Sequence, residues 1–133
     1  MRLIELLEFQ EQPITLADLK QLEMGLDILF SKLDIDVDIT GKHFVDRIND
    51  PRNGKQVSIG ELKDVFKKVF MQYGTKIKEL DDLDQGVLVD LATQLNIPFV
   101  LRHDSRKDMD SIAAKTVMRK PNFHTPDTKF TVQ

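Results

Sequence analysis

Leucine recurs at helical spacing through Leu16, Leu19, Leu22, Leu26, Leu29 and Leu33, which lays one apolar stripe along a helix. Thr15 followed by Asp18 reads as its start, and Gly25 weakens it by up to about 1 kcal/mol against alanine. Before it, residues 2–9 read as a short helix that Pro13 ends. The period then changes to two. Asp34, Ile35, Asp36, Val37, Asp38 and Ile39 alternate, the pattern of a strand with a wet outer face, and Gly41 breaks it. Residues 42–49 read as a short helix with Phe44, Val45 and Ile48 apolar. Asp50 to Lys55 is a turn punctuated by Pro51 and the Asn53-Gly54 pair. Ser58-Ile59-Gly60-Glu61 is a capping box. Behind it Ile59, Leu62, Val65, Phe66, Val69, Phe70 and Tyr73 form one stripe, and Gly74 sits where a C-terminal cap belongs.

The remainder is strand-like. Val87 to Leu91 fits strand or helix; Ile97 to Leu101 and Ile112 to Met118 read as strands, and Phe130 to Val132 as a last short one. Pro121 and Pro126 mark a connection. Helices first and strands later predict an α+β fold, with N-terminal helices packed on one side of a small antiparallel sheet. A length of 133 residues suits a single domain, 1–133. Residues 1–33 then form an N-terminal helical layer and residues 34–133 the α+β core.

Composition narrows the class. There is no cysteine, which excludes disulfides and thiolate metal sites and fits a reducing, cytoplasmic setting. No apolar run approaches the roughly 18–20 residues that span a bilayer, and Met1 to Phe9 carries Glu5 and Glu8 rather than the cationic flank of a signal peptide. The net charge of −3 argues against a nucleic-acid binder. Its distribution argues otherwise. Residues 1–40 hold three basic and nine acidic side chains, whereas residues 41–133 hold sixteen basic and thirteen acidic. That is either a solvated acidic face or an acidic layer attached to a basic functional body; local fields, not total charge, steer a polyanion.

Two segments carry candidate chemistry. His43 and Arg47 are four apart, so on a helix they share a face. An imidazole titrating near about 6.5 suits proton transfer, and a guanidinium one turn away suits a phosphate or an oxyanion. Arg52 adds a second cation from the turn. The competing structural reading has His43 packed on the sheet and Arg47 paired with Asp46 or Asp50. In the second segment, Lys115, Val117 and Arg119 share one face of a strand, with Thr116, Met118 and Lys120 on the other. Lys115 and Arg119 then line a basic groove, Phe123 offers a stacking platform for a base, and His124 a second proton-transfer group. The competing reading is an edge strand charged against aggregation. His103 reads as exposed at a hairpin tip. Asp34, Asp36 and Asp38 are not a calcium loop: counting from Asp36 places Gly41 at the sixth position but Arg47 at the twelfth, where a glutamate is needed. No metal site and no cofactor motif is found.

The order of these features resembles a family. His43-Phe-Val-Asp-Arg47, Val57-Ser-Ile-Gly-Glu-Leu62 and Lys115-Thr-Val-Met-Arg119 follow one another as in small phage and toxin ribonucleases of the barnase–EndoU–colicin–RelE type. The pattern is most similar to the phage RegB-like endoribonucleases. The resemblance implies metal-independent RNA cleavage, with the ribose 2′-OH attacking the adjacent phosphate. It implies His43 as base or acid, Arg47 as phosphate ligand, and Arg119 or Lys115 as transition-state stabiliser. Arg52, Lys115, Lys120, Phe123 and His124 would contact RNA. The family's second catalytic histidine has no counterpart at a matching position. The alternative is a non-catalytic phage protein that binds and redirects a host protein through the acidic layer and the Leu-rich helix at 16–33.

Overall fold

The computed structural model describes residues 13–133; the helix expected over 2–9 lies outside them. The element order is α1 (Leu16–Phe30), a 3₁₀ turn (Ser31–Leu33), β1 (Ile35–Asp38), α2 (Lys42–Ile48), a second 3₁₀ turn (Pro51–Asn53), α3 (Ile59–Lys78), β2 (Gln85–Asp90), β3 (Leu95–Asp104), β4 (Met109–Ala114), β5 (Met118–Arg119) and β6 (Thr128–Val132). This is the expected α+β class, with α1 and α3 packed on the sheet.

Both long helices begin where the sequence says. The Thr15 hydroxyl accepts from Asp18 N–H, and the Asp18 carboxylate accepts from Thr15 N–H. Ser58 and Glu61 make the same reciprocal pair. Each box satisfies N–H groups that a helix start leaves open. Gly74, however, does not end α3, which runs on to Lys78. It is a buried contact: a Cβ there would lie 2.7 Å from Leu33 Cδ1. Its lack of a side chain lets the 3₁₀ turn after α1 close against α3.

The sheet order is β1-β4-β3-β2-β6, with β5 also paired to β3. It is mixed, which corrects the antiparallel expectation. β2–β3 and β3–β4 are antiparallel hairpin neighbours. The edge strands are reached by crossovers, so β1 runs parallel to β4 and β6 parallel to β2. Residues 112–118 are also not one strand. The Lys115 N–H donates to Pro98 O at 2.8 Å, so the side of Pro98 lacking an N–H faces this segment. A rung of the ladder is missing there. The chain leaves the sheet after Ala114 and rejoins at Met118, where β5 pairs with Leu95 and Asn96.

The core lies between helices and sheet. Leu19, Leu22, Leu26 and Phe30 are the buried face of α1, with Leu62, Val65, Phe66 and Val69 opposite on α3 and Ile35, Val37, Leu88, Ile97, Phe99 and Leu101 below. Phe30 meets Phe70 edge-on at 5.1 Å, and Tyr73 meets Phe130 at 5.5 Å. The Tyr73 hydroxyl donates to Thr131 O at 2.8 Å, tying α3 to the edge strand β6. No helix of the described residues is long and apolar enough to cross a membrane.

Candidate nucleic-acid interface

The break between β4 and β5 creates a cleft. α2 ends at Ile48, and Asp50 caps the 3₁₀ turn that follows by accepting from Arg52 N–H at 2.9 Å. Asn53, buried in that turn, donates to Arg47 O at 2.8 Å and accepts from Arg119 N–H at 3.1 Å. One amide therefore fastens the end of α2 to β5. Between them lies a cavity of about 320 Å³ whose walls include Arg47, Arg52, Thr116, Arg119 and Lys120.

Its charge is asymmetric. Arg47 and Arg52 are 51% and 74% exposed in their side chains, and both reach Asp50, at 3.9 and 2.7 Å. The hydrogen bonds from Arg52 pull the Asp50 carboxyl down to about 2. One carboxylate thus answers two exposed guanidiniums, and Lys120 adds a further exposed cation to the same walls. This is the chemistry of an anion site: arginine forks match phosphate oxygens.

Arg119 lines the cavity but is not available to a ligand. Its side chain is 12% exposed. Nε donates to Lys55 O, Nη1 to Glu61 Oε2 and Thr93 O, and Nη2 to Gln56 O and Glu61 Oε1. A guanidinium has five N–H donors, and all five are taken. Burial pushes the Glu61 carboxyl up, but the bonds from Arg119 and from Ser58 N–H prevail and hold it below its ordinary value. Arg119 is therefore a tie between α3, β5 and the 55–56 segment, which corrects its assignment as a transition-state stabiliser.

The other expected residues disperse. His43 is exposed on α2, one turn before Arg47, and makes no hydrogen bond among the described residues; it is not packed on the sheet. Lys115 is exposed and bonded to Gln85 Oε1, away from the cleft walls. Phe123 is half-buried and lines a second, adjoining cavity with Lys120. His124 is exposed and lines neither cavity. Two positions were missed. Thr116 sits on the cleft wall because its segment leaves the sheet. His103 is exposed as expected, but it lies within β3 rather than at the hairpin tip, with Nδ1 2.7 Å from Oδ1 of buried Asp110. Asp110 also takes Lys78 Nζ at 3.2 Å. The hint was register, since residues seven apart face each other across a four-residue hairpin connection. Among the described residues no group of three or more His, Asp or Glu is placed to hold a metal.

The Leu-rich helix is largely packed, yet not completely. Met24 and Ile28 remain 68% and 74% exposed. A groove of about 480 Å³ lies between α1 and α3, walled by Leu22, Leu26, Leu29 and Ile59 and rimmed by Lys63 and Lys67.

Comparison of the chain with protein-family models, with curated proteins and with solved structures found no match.

Proposed function

We propose that the chain is a metal-independent endoribonuclease whose α2–β5 cleft holds an RNA phosphate and whose proton-transfer group is His43. The observation that carries the reading is convergence. Arg47, Arg52 and Lys120, from segments about 70 residues apart, wall one cavity. In this reading His43 takes the ribose 2′-OH proton, and the 2′-oxygen attacks phosphorus while Arg47 and Arg52 hold the non-bridging oxygens. The 5′-oxygen leaves and takes a proton from water. The products carry 2′,3′-cyclic phosphate and 5′-hydroxyl ends. A positioned base contributes roughly 10²–10⁴-fold. The absence of cysteine fits action in a reducing bacterial cytoplasm, and the resemblance in motif order is what supports a phage origin.

The test is cleavage of a mixed single-stranded RNA pool in EDTA by wild type and His43→Ala, prepared side by side. Cleavage to cyclic-phosphate ends, lost in the variant, is the expected result. RNA binding without cleavage by a folded wild type would reduce the reading to a binding cleft. The groove between α1 and α3, together with Met24 and Ile28 exposed elsewhere on α1, supports a second reading as a protein that binds a host protein. A folded wild type that neither binds nor cleaves RNA would leave that reading standing.

A further inference from the structure

We infer that the cavity beside Phe123 is a base-binding subsite, taking one unpaired nucleobase of the RNA whose phosphate occupies the neighbouring cleft. The inference rests on the RNA reading and adds to it a location and a strand requirement. The two cavities meet at Lys120, which lines both. Both hold exposed cations and aliphatic side chains; what distinguishes the second is an aromatic one, Phe123. The first is ringed by exposed cations. The second, of about 240 Å³, has Phe123, Val89, Leu91 and Pro121 on its walls, with Gln94, Asn122, Thr131 and a second exposed lysine, Lys129, among them. The aromatic and aliphatic part of that wall offers a phosphate nothing. A nucleobase needs that wall for its face and hydrogen-bonding groups for its edge. Asp90 also lines the cavity, but its carboxylate is already held by Lys68 at 3.4 Å and the Thr93 hydroxyl at 2.7 Å.

The subsite is built rather than incidental. Asn96 is 1% exposed, and its amide nitrogen reaches the carbonyls of Gln94, Met118 and Lys120 at 3.1, 3.3 and 2.9 Å. Lys120 N–H in turn donates to Gln94 O at 2.8 Å. The backbone that carries Lys120 between the cavities is therefore fixed to the start of β3. Asn122, at φ 53°, then turns the chain so that Phe123 lies over the cavity. A side chain on a fixed platform loses little freedom when a base stacks on it. A base paired in a duplex cannot enter, since it must first leave the stack.

The experiment is fluorescence anisotropy in the His43→Ala background, which removes cleavage. The probe is a single-stranded RNA octamer of fixed sequence, alongside eight copies each lacking one base and a blunt duplex of the same sequence. The expected result has two parts. Phe123→Ala weakens binding of the intact octamer roughly ten-fold, in the range of base–aromatic stacking. One abasic octamer binds about that much less tightly and is indifferent to Phe123→Ala, and so is the duplex. Phe123→Leu, which keeps an apolar side chain on the wall, repeats the loss while its thermal melt shows the fold intact. Equal losses for all eight abasic octamers, or no effect of Phe123→Ala, would overturn the subsite. If Arg47→Glu with Arg52→Glu still abolishes binding in that case, the phosphate cleft stands alone. No RNA binding by the parent protein overturns both.

Discussion

Replacing Arg119 by alanine removes one guanidinium and strands its acceptors: the Glu61 carboxylate and the carbonyls of Lys55, Gln56 and Thr93. Glu61 is 17% exposed, so its charge loses its partner in a poorly hydrated place. The loss should be about 3 kcal/mol, the lower end of what breaking a buried pair costs, read as a drop in the urea midpoint. Arg119→Lys should recover little of it, because an ammonium cannot reach five acceptors in one plane. A variant as stable as wild type would return Arg119 to the ligand-binding set. A second residue-scale prediction concerns Gly86, where a Cβ would lie 2.8 Å from Phe130 and 2.9 Å from Phe99. Both rings are buried, so Gly86→Ala should cost about 1–3 kcal/mol by overpacking, visible in a thermal melt. Neither role was legible in the sequence. Strand periodicity says which residues share a face with Arg119. It cannot say that a helix start 58 residues away arrives at its guanidinium.

At the scale of elements, the edge strand β1 is protected by helix α1. Asp27 accepts from Val37 N–H at 2.7 Å and Glu23 from Ile39 N–H at 2.9 Å. Unpaired edge N–H groups invite a foreign strand, and here two carboxylates occupy them. Burial, and then the neighbouring Asp36 and Asp38, push both carboxyls above their ordinary values, although the backbone bonds pull the other way. The sign follows. A carboxyl whose folded value is raised keeps its proton more readily when folded, so its contribution is greatest below the unfolded value. For these two groups it is lost as pH rises past the usual 4.5 and 3.8 and through the raised folded value. Glu23→Gln with Asp27→Asn keeps an acceptor oxygen on each and removes that loss. The double variant should gain stability relative to wild type between pH 4 and pH 7, measured as urea midpoints at both values. A constant difference would show that the shifts play no part. The alternation of 34–39 made β1 legible, and the two capping boxes fixed both helix starts. The split of β4 from β5 was not legible, because its cause, Pro98, lies in the neighbouring strand and acts only once the register is set.

For the whole molecule, charge is segregated. Glu23 and Asp27 of α1 gather with Asp36 and Asp38 at the helix-covered edge at β1, while Arg47, Arg52 and Lys120 gather where α2, its 3₁₀ turn and β5 meet. That asymmetry was visible in the sequence as an acidic first 40 residues and a basic remainder. The place where the cations converge was not, since it depends on one buried asparagine joining two distant turns. A cleft that works by displacing counterions has a measurable signature. Each neutralised phosphate contributes about −0.7 to the slope of log affinity against log salt for a single strand, so three cations predict a slope near −2. Arg47→Ala should shrink that slope by roughly one phosphate's share and weaken binding to all RNA sequences alike. Asp50→Asn tests the same field in the opposite direction. Asp50, held at about 2 by Arg52, is charged at any working pH and competes with phosphate for both arginines. Asparagine keeps the oxygen that caps the 3₁₀ turn and removes the charge. Binding should therefore tighten and its salt dependence steepen, in titrations from 50 to 200 mM salt. If Asp50→Asn weakens binding while the thermal melt is unchanged, the carboxylate acts on the ligand directly, and the cleft is built for something other than a phosphate.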